Sequence, residues 1–197
     1  SSTSRGLGDV YKRQIYDSYG KWKNKLRPIG VPYTVESHIF EIRGGTNSVI
    51  QWLAMGSPET SVYIPFFVNN IEHTPEQYNI GNNNVYDNES ATWTYGLTNL
   101  LTQVDHENKV KDYIEPVQNK LNNEFQDSIQ RTEQQVTNEH GNAQKIQSLY
   151  ENVNQKNADL AQNTFNSINN KLIQQSTSKN NKIFNNLKQL EDANYAD

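Results

Sequence analysis

Glu36-Ser-His-Ile-Phe-Glu-Ile-Arg43, Ser48-Val-Ile-Gln-Trp-Leu-Ala-Met55 and Ser61-Val-Tyr-Ile-Pro-Phe-Phe-Val68 follow one another with only short breaks. In the first stretch Ser37, Ile39 and Glu41 share one face of a strand, and His38, Phe40 and Ile42 share the other. The second is a near-continuous apolar run suited to burial on both faces. The third carries Pro65, which has no N–H for a ladder, so it belongs at an edge or a bulge. Gly44-Gly45 and Gly56-Ser-Pro-Glu59 supply the turns. Three strands joined so tightly predict an antiparallel meander.

Outward from this core the composition is split. All six prolines lie at or before Pro116, and after it Gly141 is the one glycine. Residues 69–90 read as a polar loop. Ser90 is placed to cap a helix that carries Trp93, Leu97, Leu100, Leu101 and Val104 on one side. Val110, Tyr113, Ile114, Val117, Leu121, Phe125 and Ile129 keep helical spacing, with Pro116 predicting a kink or a fresh start. Beyond Gly141 a further stripe runs from Ile146 through Tyr150, Leu160, Phe165 and Ile168 to Leu172. Ile183, Phe184, Leu187 and Leu190 form a short closing segment. Asn and Gln number 44 of the 197 residues and read as the solvated faces opposite these stripes.

Composition excludes several function classes. The net charge is -4 and no basic block interleaves with aromatics, against a nucleic-acid binder. The longest apolar run, Ser61 to Val68, is far too short for a membrane span. No secretory signal is visible, and the expected compartment is cytoplasmic. There is no cysteine, which removes disulfides, thiolate metal sites and a cysteine nucleophile. His73, His106 and His140 lack metal-ligand spacing and read as solvated. Residues 1–14, SSTSRGLGDVYKRQ, read as a foreign leader, with the natural chain entering near Ile15.

Arg27-Pro-Ile-Gly-Val31, Thr34-Val-Glu-Ser-His-Ile39, the run from Gln51 to Phe66 and Ser90-Ala-Thr-Trp-Thr-Tyr95 occur in this order. The combination resembles the C-terminal part of the bacterial cysteine dipeptidases of the dipeptidase A type, N-terminal-nucleophile hydrolases related to the secernins. Tyr33 stands where that family carries an arginine. The resemblance implies an α+β fold: part of a four-layer αββα sandwich of antiparallel strands, followed by a helical C-terminal region. It divides the chain into the leader 1–14, the back of a catalytic domain over 15–105, and helices over 106–197.

In such enzymes a residue-one cysteine attacks the dipeptide carbonyl through its thiol. Its free α-amine, with an ordinary pKa of about 7.7–8.0, takes the proton. No metal or organic cofactor is implied. The partners are dipeptides for the intact enzyme, with a homo-oligomer as the other partner considered. Nothing in this chain corresponds to the cysteine, and Ser1 is only a formal substitute at the head of the foreign leader. The expectation is a peptidase portion that is inactive alone and poorly soluble.

Four motif residues are candidates for supporting roles: Arg27, Glu36, Ser37 and His38. Three adjacent strand residues cannot act as a triad, because neighbours point to opposite faces. Glu36 and His38 share a face, either to orient substrate or the nucleophile's amine, or as a buried polar pair that fixes register. Arg27 either grips a substrate carboxylate or opens a strand. The competing function is a non-enzymatic helical interaction module over 107–197, supported by its amphipathic stripes.

Overall fold

The computed structural model describes residues 31, 33–44, 48–80 and 85–194, with side chains described to 180 except at 179. The three apolar runs form strands β1 (Glu36–Arg43), β2 (Ser48–Met55) and β3 (Ile64–Phe67). They make one antiparallel sheet in the order β1-β2-β3. β1 pairs with β2 over its full length, from Glu36 opposite Met55 to Arg43 opposite Ser48. β3 is shorter than its apolar run, and ahead of it the Ser61 carbonyl accepts from Gln118 Nε2 at 2.6 Å.

Helices α1 (Ala91–Thr102), α2 (His106–Lys109), α3 (Glu115–Asn138) and α4 (Ala143–Asn194) follow. Between α2 and α3 the backbone widens into a π-helical turn at Val110–Ile114. Pro116, in the first turn of α3, lacks an N–H, and the widened turn just before it absorbs the mismatch. The start predicted at Pro116 therefore takes the form of a π turn. His140 and Gly141, both at positive φ, reverse the chain between α3 and α4. The closing segment predicted around Ile183 belongs to the same continuous α4 backbone. At about 1.5 Å per residue, that helix of 52 residues is about 78 Å long.

The core lies between β2–β3 and the helices. Ile64 and Phe66 pack with Tyr95 of α1, Ile114 of the π turn, Leu121 and Phe125 of α3, and Phe165 and Leu172 of α4. Phe67 stacks on Tyr150 with ring centres 4.4 Å apart, beside Ile50 and Ile129. β1 contributes no buried side chain.

Two sequence expectations need correction. The buried face of α1 is Ala91, Thr94, Tyr95, Thr98 and Thr102, whereas Leu100 and Val104 are exposed. Nor is the Asn/Gln excess simply solvated: Asn154, Asn157, Gln162 and Asn169 of α4 are buried. Pairing across the α1–α4 contact explains the first departure and the burial of Gln162 and Asn169 in the second. Asn169 Nδ2 donates to the Thr94 carbonyl at 2.9 Å, and Thr98 Oγ1 donates to Asn169 Oδ1 at 2.7 Å. Gln162 Nε2 donates to Thr94 Oγ1 at 2.7 Å. Threonines and amides satisfy one another across the α1–α4 contact, so a polar face can be buried there.

The same helix closes the sheet at β3. Val68 N–H donates to the Val49 carbonyl at 3.0 Å, so by alternation Pro65 and Phe67 turn their backbone groups away from β2. Asn154 takes both groups of Phe67: it accepts from the N–H and donates to the carbonyl, each at 2.8 Å. Asn157 Nδ2 donates to the Pro65 carbonyl at 3.4 Å. Pro65 thus occupies the edge predicted for it, where its missing N–H leaves no buried donor.

Candidate functional site

β1 carries three of the four candidate residues. Its period-two geometry places Glu36 and His38 on one face and Ser37 on the other. Ser37 Oγ lies 2.7 Å from the Tyr63 hydroxyl, which anchors it to the segment entering β3. Glu36 and His38 are exposed, and no hydrogen bond or ion pair joins them among the described residues. The His38 ring meets Phe40 edge to face, with ring centres 5.4 Å apart. The buried-pair reading of Glu36 and His38 therefore does not describe this strand. Arg27, Ser1 and the stretch 1–14 lie outside the described residues, as does Gly45 of the first turn.

The second turn is held from two sides. Gly56 has φ +75, and its N–H donates to the Val35 carbonyl at 2.7 Å. Ser57, Thr60 and Ser61 are buried. Thr60 Oγ1 donates to Asn99 Oδ1 of α1 at 3.2 Å, and Gln118 of α3 reaches the carbonyls of Pro58, Glu59 and Ser61. His106 is not solvated as the sequence suggested: its Nε2 lies 3.2 Å from Glu59 Oε2 and its side chain is mostly covered. His73 and His140 are exposed as expected.

A polar cluster escaped the sequence reading. Arg43 Nε lies 3.0 Å from Glu133 of α3, and Arg43 Nη1 lies 3.2 Å from Glu41. Trp52 Nε1 donates to Glu41 at 2.9 Å, and Ser48 Oγ donates to Glu133 at 3.1 Å. This network ties β1 and β2 to α3. Only opposite signs hint at it in the sequence, because Arg43 and Glu133 are far apart in the chain. Among the described residues, no cluster of His, Cys, Asp and Glu could hold a metal ion, and no helix is long and apolar enough to cross a membrane. Burial pushes the Tyr78 and Tyr95 hydroxyls well up, so neither can serve as a base near neutrality.

Chemically, Glu36 and His38 present a carboxylate and an imidazole on one exposed face of β1. Comparison with known proteins supplies the wider setting. Probable dipeptidase A of Streptococcus pyogenes serotype M3 (strain SSI-1) is 28% identical over 128 residues, 58% of this chain and 26% of the relative. Dipeptidase A of Lactobacillus helveticus is 36% identical over 76 residues, 34% of this chain and 16% of the relative. Probable dipeptidase B of Streptococcus pyogenes serotype M3 (strain ATCC BAA-595 / MGAS315) is 32% identical over 95 residues, 43% of this chain and 19% of the relative. The chain thus spans about a quarter of the length of these relatives, or less. The model of peptidase family C69 matches residues 5–120, beginning inside the stretch that reads as a foreign leader. With that match over more than half of its length, the chain belongs to peptidase family C69.

Proposed function

We propose that this chain is the supporting portion of a cysteine-type dipeptidase, with the nucleophile supplied by polypeptide outside it. The family match over residues 5–120 carries the reading, and the named relatives are dipeptidases. The chain has no cysteine, so it cannot itself form the thioester through which such an enzyme would cleave a dipeptide. In this reading β1–β3 form part of an αββα sandwich, with residues 15–105 as the back of the catalytic domain and 106–197 as its helical cover. Glu36 and His38 orient substrate or the nucleophile's α-amine. Ser37 fixes β1 through Tyr63, and Arg27 meets the substrate carboxylate.

A chimera tests the roles of the β1 residues. Residues 15–197, which keep the α3 and α4 side chains that pack on the sheet, replace the matched stretch in the Streptococcus pyogenes probable dipeptidase A, and Glu36→Gln and His38→Ala are introduced separately. Each is expected to lower kcat/KM for a dipeptide by about tenfold or more, as for a lost positioning or proton-transfer group. Unchanged kcat and KM in both variants reject the assignment.

A further inference from the structure

Strand β1 has no buried side chain to decide which of its faces turns inward. Ile39, on the face from which Arg43 reaches α3, is 57% exposed. Phe40 and Ile42, on the other face, are 56% and 81% exposed. Apolar burial alone favours the opposite choice, because a slip of one residue carries Phe40 and Ile42 to the α3 side. The same slip turns Glu36 and His38 over. Backbone hydrogen bonds do not decide either, since a ladder forms in both registers. Side-chain contacts therefore have to hold the register in which Glu36 lies opposite Met55 and Arg43 opposite Ser48.

Those contacts converge on Glu133. Arg43 and Ser48 are cross-strand partners, the last residue of β1 and the first of β2. Both reach one carboxylate oxygen, Glu133 Oε1: Arg43 Nε lies 3.0 Å from it, and Ser48 Oγ donates to it at 3.1 Å. Arg43 Nη1 lies 3.2 Å from Glu41 Oε1, and Glu41 Oε2 accepts from Trp52 Nε1 at 2.9 Å. Trp52 is the partner of Ile39, diagonal to Glu41, so that bond also depends on register. An exposed ion pair contributes little, but the Glu133 side chain is only 16% exposed. A carboxylate so covered depends on its donors, and a one-residue slip of β1 takes Arg43 away from it.

We propose that Glu133 is a positioning residue for the candidate site: by holding Arg43 and Ser48 together it locks the β1–β2 register that presents Glu36 and His38 on one exposed face. Glu133 lies on α3, beyond residues 5–120, the stretch matched by the family model. The helical region thus serves the site through β1 and not by touching substrate. The proposal rests on the dipeptidase reading above and adds what orients the residues that reading uses.

Two measurements test it. In the chimera carrying residues 15–197, Glu133→Ala is expected to lower kcat/KM for a dipeptide by about tenfold, and adding it to His38→Ala is expected to cause no further loss. A role in stability alone multiplies the two losses. Glu133→Gln keeps an acceptor for Ser48 and Arg43 without the charge, and is expected to lose less. In the full 197-residue chain, cross-strand NMR contacts read the register directly. The unaltered chain shows Phe40 opposite Gln51. Glu133→Ala is expected to add a second set of contacts, with Phe40 opposite Ile50 or Trp52. Glu133→Gln replaces Glu133→Ala in either measurement where the alanine variant does not fold. A single unchanged register in the variant, or multiplied losses in the chimera, overturns the proposal. Turnover by the unaltered chimera alongside either of those results leaves the dipeptidase reading intact. A folded chimera without turnover rejects that reading, and the role of Glu133 in it.

Discussion

Asn154 shows how one side chain can substitute for a strand. Its amide presents a donor and an acceptor side by side, as a peptide group does, and both engage Phe67. Asn154→Ala leaves a buried N–H and a buried carbonyl without partners and is expected to cost about 2–4 kcal/mol, measured by urea unfolding. Glu151, three residues earlier, anchors the loop before α1 by accepting the Glu72 N–H at 2.7 Å and the His73 N–H at 3.1 Å. The Glu72 N–H first, and then the Gln147 side chain, hold its carboxyl below the ordinary value of 4.5. Because the folded value is depressed, the tether is fully present above the ordinary carboxylate range and is lost as pH falls through the lowered value. Exchange of the Glu72 and His73 amides should accelerate in acid beyond the intrinsic trend, and Glu151→Gln should abolish that extra pH dependence. Neither residue stands out in the sequence. An amide or carboxylate on a polar helix looks the same whether it faces water or a backbone group some eighty residues away.

At the level of elements, the strands were legible and their surroundings were not. Alternation and turn chemistry place β1 and β2, and the chemistry of Pro65 assigns β3 to an edge. Spacing says nothing about what covers a face, so the exposure of β1 on both sides had no signature. Helix α1 was misjudged for a related reason. Its leucines suggested the inner face, but the threonine face is the one matched by hydroxyl and amide partners on α4. The contrast predicts an inverted mutational pattern. Thr98→Val, which strips Asn169 Oδ1 of its donor, should cost about 1–3 kcal/mol. Leu100→Ala, at a side chain 67% exposed, should stay within about 0.5 kcal/mol. Thermal or chemical unfolding of the two variants checks the order.

Among the described residues, two apolar clusters join the sheet to the helices. α4 packs its amides against β3 and α1, and Tyr150, Ala161, Phe165, Ile168 and Leu172 of its apolar stripe are buried in this body. The ordered motifs from Arg27 to Tyr95 made the family legible, because their combination in sequence is specific where each alone is weak. The candidate site was less legible: β1 places Glu36 and His38 on a shared face, but alternation alone does not say what that face meets. The most direct measurement is dipeptide hydrolysis by the chimera carrying residues 15–197, with the isolated 197-residue chain assayed beside it. The account predicts turnover by the chimera that is abolished by a thiol alkylator, and none by the isolated chain. A folded chimera without turnover, or robust hydrolysis by the cysteine-free chain that alkylation leaves unchanged, would contradict it.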